Sequence, residues 1–179
     1  MMVGYSGKLG KKVERVIGEE HFVAIGIDYE GHRDVIGVSV CLSEAEVHWR
    51  TFLESLIKRG LHGLRMIISD AHSGLQKARE ACFPGVSWQR CQFHLQQNAM
   101  SYVPKISMRK EVGGDIRSVL NAPDRAEAER LLKIRVEKYR TTAPKLADWM
   151  EQNVPQSLSV FAAPAAHRRM LRTTNMLER

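Results

Sequence analysis

Asp70 is the acid best placed to do chemistry. It follows Met66, Ile67, Ile68 and Ser69 in the stretch RMIISDAHSGLQKAREACFPGVSWQRCQFHLQQN, residues 65–98. A short apolar run suits a strand covered on both faces, and the point where such a strand turns polar is where open α/β sheets hold their ligands. A carboxylate there has two readings. It caps the helix that follows, or it binds Mg2+ or Mn2+, hard ions that prefer carboxylate oxygens and keep positions open for water and a phosphate substrate. The second reading needs another acid brought close by folding. Glu178, far along the chain, is the candidate, although Asn175-Met176-Leu177-Glu178 also forms a capping box, the better reading of those four residues taken alone.

Cys91 and His94 form a CxxH pair, which is half of a zinc site. No second CxxC, CxxH or HxxxH stands at a usual distance, so a buried cysteine beside a hydrogen-bonding histidine explains the pair better than zinc does. Trp88 and Arg90 share one face of a strand by period two. An exposed face there would let Arg90 reach DNA, whereas Trp88 serves equally well as core. His167, Arg168, Arg169 and Arg172 crowd together before Glu178. Such a run is ordinarily a solvated face, but next to a phosphoryl-transfer acid each arginine becomes a bidentate phosphate ligand. No Gly-rich phosphate loop argues for an NTPase, and no GxSxG elbow argues for a triad hydrolase.

The elements that must position these groups fall into two grammars. A weak strand is predicted over residues 12–17. HFVAIGID and RDVIGVSVCL form a hairpin around the turn EGH. Ser43 is the expected cap of an amphipathic helix carrying Ala45, Trp49, Phe52, Leu53, Leu56 and Ile57, which Gly60 ends. Then come a strand at 64–69, a helix at 73–82, a turn at Pro84-Gly85, a strand at 86–93 and a helix at 94–102. From Pro104 to Pro164 only helical patterns follow, the best starting at Asp124 with Glu127 as its capping-box partner. The reading is therefore an α/β core over 1–103, a helical insertion over 104–164, and the start of a final helix over 165–179.

Bulk composition narrows the class. With 27 Lys and Arg against 20 Asp and Glu, a net charge of +7 favours a polyanionic partner. Three cysteines at unpatterned spacings fit a reducing cytosol. No apolar run approaches the ~20 residues a bilayer requires, so no membrane role is expected.

Four segments together resemble the catalytic domain of Mutator-type bacterial insertion-sequence transposases: VAIGIDYEGHRDVIGVSV, WRTFLESLIKRGLHGLRMIISDAHSGL, ACFPGVSWQRCQFHLQQN and FAAPAAHRRMLRTTNMLER. The resemblance runs from about residue 21 to 179, loosely through the helical middle. It implies a ribonuclease-H-like mixed sheet flanked by helices, with a helical insertion before the last catalytic helix. It also implies two Asp and one Glu holding Mg2+ or Mn2+, acting on element terminal repeats and target DNA as a homo-oligomer in the cytoplasm. Asp70 matches the second Asp in SDAHxGL, Glu178 the final Glu in TTNxxER, and Cys91 and His94 the CxxH signature, taken as support for the site and not as a zinc centre.

The first Asp is where this sequence departs. The family carries it on the first strand, in a pattern like LDAxYxKVR, and here KLGKKVERVIGEE offers no Asp. Asp28 falls at the hairpin turn, the wrong place, and Glu14 is the available substitute. The family's N-terminal DNA-binding region and the rest of the final helix are also missing. The expectation is a truncated transposase with two of three acids and little activity, or a non-catalytic DNA-binding or dimerising fragment that modulates a full-length one.

Overall fold

The computed structural model describes the backbone of residues 2–6 and all of residues 20–28 and 30–174. The strand expected over 12–17, Glu14 and Glu178 lie outside the described residues. The chain is mixed α/β and forms two compact units, Met1–Trp88 and Gln89–Arg179.

The first unit is built on the hairpin. β2 (Glu20–Ile27) and β3 (Arg33–Cys41) pair antiparallel with a bulge at Ala24/Ile25. Gly31, at φ +90°, makes the turn, where the Asp28 carboxylate accepts the Glu30 and His32 backbone N–H groups, each at 2.9 Å. The first described strand is β1 (Met2–Ser6), a stretch where sequence analysis predicts no strand. β1 runs antiparallel to β2 and parallel to β4 (Met66–Ser69), with Met2 level with Ile67 and Val3 with Ile68. With β5 (Ser87–Arg90) the five-stranded sheet has the order β3-β2-β1-β4-β5. β3 is an edge strand, and its Val35, Val38 and Val40 are exposed, as is Leu42 just beyond it.

α1 (Glu46–Lys58) covers the sheet with the predicted stripe of Trp49, Phe52, Leu53 and Leu56. Trp49 stacks on Phe22 of β2, ring centroids 3.6 Å apart and 12° from parallel. The helix begins at Glu46 with Ala45 as its N-cap, so Ser43 does not cap it; the Ser43 hydroxyl instead accepts the Ala45 N–H at 3.4 Å. α2 (Ser73–Cys82) seals the core with Leu75 and Ala78. Its Gly74 lets the first turns of α1 and α2 touch backbone to backbone: a Cβ there would press on the Glu44 carbonyl oxygen and stand 2.9 Å from the Glu46 nitrogen.

In the second unit the strand predicted over 86–93 stops at Arg90, because Cys91 turns the chain into α3 (Gln92–Ala99), two residues earlier than expected. α4 (Arg109–Leu120), α5 (Arg125–Tyr139) and α6 (Pro144–Asn153) form the helical block. Asp124 caps α5 as predicted, accepting the Glu127 N–H at 2.8 Å, while the Glu127 carboxylate pairs with Arg130 instead of closing the box. Short 3-10 turns and α7 (Ala165–Arg168) complete the described chain.

Two glycine substitutions should move stability in opposite directions. Gly74→Ala forces two helix ends apart and should cost roughly 1–3 kcal/mol. Gly114→Ala, in α4 with open space at its Cβ, should gain about 0.5–1 kcal/mol. Urea midpoints of the two variants check both signs.

Candidate functional site

Strand β4 is buried at all four residues, and Asp70 is the first half-exposed residue after it. Its carboxylate is held locally: Oδ1 accepts the Ala71 backbone N–H at 2.7 Å. Asp70 is not the cap of α2, whose N-cap is His72. Behind the acid, the Trp88 indole N–H donates to the Ser69 hydroxyl at 2.9 Å, and that hydroxyl donates to the Asp70 carbonyl at 2.8 Å. Trp88 is thus tied into the core of the first unit, with the Arg79 guanidinium 5.7 Å from its ring centre.

Two residues that sequence reasoning passed over join Asp70. The His72 Nε2 stands 3.2 Å from the Glu44 carboxylate, on the rim of a shallow depression of about 370 Å3 shared with Ser43, Glu46, Ser73 and Lys77. Burial pushes the Glu44 carboxyl up, His72 draws it down, and the charges of Glu20 and Asp70 add to the rise. The neighbourhood of Glu44 arises from the Gly74 contact between α1 and α2, which no local pattern announces.

Asp28, Glu30 and His32 are, among the described residues, the one trio of such side chains close enough to share a cation. All three are exposed, and Asp28 is already committed to the hairpin turn.

The second unit carries the CxxH pair. Cys91 is fully buried, and its sulfur lies 3.4 Å from each of three groups: the Thr173 hydroxyl, the Thr174 N–H and the Thr174 hydroxyl. Burial alone would push this thiol up. The His94 side chain and backbone N–H, with Thr173 and Thr174, outweigh it and bring the thiol down to about 6. Thr173 and Thr174 are the second omission of the sequence reading, for which they were only the approach to Glu178.

The arginines divide. The expected exposed face for Arg90 is corrected: the residue is 4% exposed, donates to the Asn153 side-chain oxygen at 2.6 Å and to that of Gln156 at 3.3 Å, and stands over the Trp149 ring. A guanidinium at a buried strand end must find internal acceptors, and α6 with the turn after it supplies them. Arg168 spends its donors on the carbonyls of Ala163, Phe161 and Pro123. Arg172 donates to Asn121 and is half-buried, and Arg169 is exposed.

Comparison with known proteins gives a consistent picture. A family model described as "Transposase, Mutator family" matches residues 9–179. The chain is 53% identical over 165 residues to the transposase for insertion sequence element IS406 of Burkholderia multivorans, covering 92% of this chain and 42% of that protein. It is 33% identical over 164 residues to the transposase for ISRM5 of Rhizobium meliloti, covering 92% and 41%. It is 34% identical over 174 residues to the transposase for IS256 in transposon Tn4001 of Staphylococcus aureus, covering 94% and 43%. The chain therefore spans about two fifths of the length of these relatives.

The depressed thiol makes a pH prediction with a definite sign. A group whose pKa falls on folding, here from 9.0 to about 6, contributes stability that is complete above pH 9 and is lost as pH falls through 6. The stability advantage of the protein over Cys91→Ser, whose hydroxyl does not titrate, should shrink by about 2 kcal/mol between pH 8 and pH 6. Denaturant unfolding at the two pH values measures it, and a difference independent of pH would refute it.

Proposed function

Because the chain belongs to the Mutator family of transposases, we propose that it is part of a DNA transposase core, ribonuclease-H-like in fold, in which Asp70 and Glu178 are two of three metal-holding acids. The observation that carries this reading is Asp70 itself: a carboxylate at the open end of a buried strand, with Oδ1 on the Ala71 N–H and Oδ2 in no hydrogen bond among the described residues. That donor fits a hard divalent ion. The mixed five-stranded sheet with β1 parallel to β4 supports the fold assignment.

Mg2+ or Mn2+ bound by these acids would activate a water or 3′-hydroxyl and stabilise the leaving oxygen during in-line attack on a DNA phosphodiester. The protein's part is positional. The Ala71 N–H fixes one carboxylate oxygen of Asp70, and the Trp88–Ser69–Asp70 chain of hydrogen bonds fixes the backbone that carries it. Of the four arginines singled out in the sequence, the exposed Arg169 and the half-buried Arg172 are the ones open to DNA phosphates, while Arg90 and Arg168 hold the second unit together. Cys91 and His94 enter as support, not as zinc ligands. Terminal repeats and target DNA are the partners in this reading, with the protein acting as a homo-oligomer in the bacterial cytoplasm; no helix among the described residues is long and apolar enough to cross a membrane.

β1 reads MVGYS and carries no acid. β1 pairs with β4 at Met2–Ile67 and Val3–Ile68, and neither Gly4 nor Tyr5, which follow, is an acid. This favours a second reading, a non-catalytic DNA-binding or dimerising piece that modulates a complete transposase.

Manganese titration followed by electron paramagnetic resonance separates the two. Under the catalytic reading the chain binds Mn2+ weakly, Asp70→Asn lowers the affinity at least tenfold, and Gly4→Asp or Tyr5→Asp raises it. Mn2+ binding indifferent to Asp70→Asn, together with salt-sensitive DNA binding that the same variant leaves unchanged, establishes the non-catalytic reading instead.

A further inference from the structure

Helix α4 sorts its charges by face. Its acids, Glu111 and Asp115, are taken up by α5: the Lys138 ammonium stands 2.6 Å from a carboxylate oxygen of each, the Tyr139 hydroxyl donates to Asp115 at 2.6 Å, and Arg135 stands 3.3 Å from it. Its bases lie elsewhere. Lys110, Gly114, Arg117 and Asn121 recur at helical spacing on one solvent-facing stripe, away from the buried Val112, Ile116 and Val119. Among the described residues neither Lys110 nor Arg117 makes a side-chain hydrogen bond or an ion pair. On α5, by contrast, the exposed Arg125 and Arg130 are each held by a glutamate at 2.7 Å.

Both ends of the stripe add positive charge. Lys105 and Arg109 are exposed just before and at the start of α4, and at the far end Arg172 donates to the Asn121 side-chain oxygen at 2.6 Å. Cations in a helix's first turn oppose its macrodipole, so helix stability does not explain Arg109 and Lys110. Between the cations stand two glycines, residues that weaken a helix interior but let another backbone come close. A Cβ on Gly113 would lie 3.3 Å from the Arg117 guanidinium, which folds back against the helix, and a Cβ on Gly114 would meet nothing within 4 Å.

We propose that this face of α4 docks the sugar-phosphate backbone of duplex DNA, with Lys110 and Arg117 on phosphates and Gly114 where the backbone comes against the helix. This rests on the reading of the chain as part of a DNA transposase and involves neither Asp70 nor a metal. Lys110 and Arg117 are seven residues apart, about 10 Å along the axis, close to three base steps of about 3.4 Å each. A membrane surface or a partner protein would call for apolar or aromatic anchors, and the stripe has none. Contacts to phosphates alone position DNA without reading its sequence.

Fluorescence anisotropy on the whole chain, with a labelled mixed-sequence duplex of about 30 base pairs over a range of salt, tests the assignment. Lys110→Gln and Arg117→Gln, both at exposed helical positions, should each weaken binding about three- to tenfold and lower the salt slope by about one. Gly114→Leu, which enters open space and suits a helix, should weaken binding at least about threefold with the slope unchanged. Arg130→Gln removes the same charge from an arginine that Glu127 already holds, and should change binding by less than about twofold. A loss in Arg130→Gln equal to that in Arg117→Gln overturns the face in favour of bulk charge. Full binding by Gly114→Leu overturns the close approach at that glycine. Poly-glutamate or phosphatidylglycerol vesicles, bound as tightly as the duplex and with the same dependence on Lys110 and Arg117, overturn DNA as the occupant. Duplex binding that survives all three α4 variants overturns this assignment alone, whereas a chain that binds no duplex overturns it together with the DNA partner of the transposase reading.

Discussion

A strand buried at every residue can leave the sheet only by turning polar, and β4 imposes that constraint on the first unit. Met66 to Ser69 are covered, so the next residue is the first that solvent can reach, and it is Asp70. The surroundings cooperate. β1 pairs parallel alongside, the Trp88 indole ties down Ser69, and α2 turns back so closely that only Gly74 fits against α1. The acid's position is a consequence of burial, whatever use is made of it.

What was legible in the residues follows from periodicity and caps. The hairpin, the apolar stripe of α1, the helix from Ser73 to Cys82 and the Asp124 cap all depend on neighbours within one or two turns, and their residues announce them. The misplacements share a different cause. Ser43 looked like a cap because its type is right, but α1 begins later. The strand at 86–93 looked continuous because Val86, Trp88 and Phe93 are apolar, yet Cys91 breaks it for a tertiary reason, its sulfur being committed to Thr173 and Thr174. Glu44 beside His72 and the Cys91 contacts were illegible for the same reason: each is a contact between segments whose separation leaves no local signature. Arg90 misled because period-two counting says which face a residue occupies and not what covers that face.

The basic surplus therefore overstates what is available to a polyanion. Arg90 and Arg168 carry charges directed inward, onto side-chain amides and backbone carbonyls, and Arg140 is engaged with Asp148 and Glu151. An arginine held by several acceptors stabilises as a multi-point brace, and substituting lysine would lose the fork geometry while keeping the charge.

The three tryptophans are distributed in a way that has an optical consequence. Trp49, stacked on Phe22, and Trp88, one hydroxyl removed from the Asp70 backbone, belong to the first unit; Trp149, in contact with the Arg90 guanidinium and the Tyr102 ring, belongs to the second. Each indole has a different quenching environment, so the emission spectrum contains separate reporters for the sheet core, the strand end that bears the acid, and the helical block. The protein thus carries its own set of fluorescent labels.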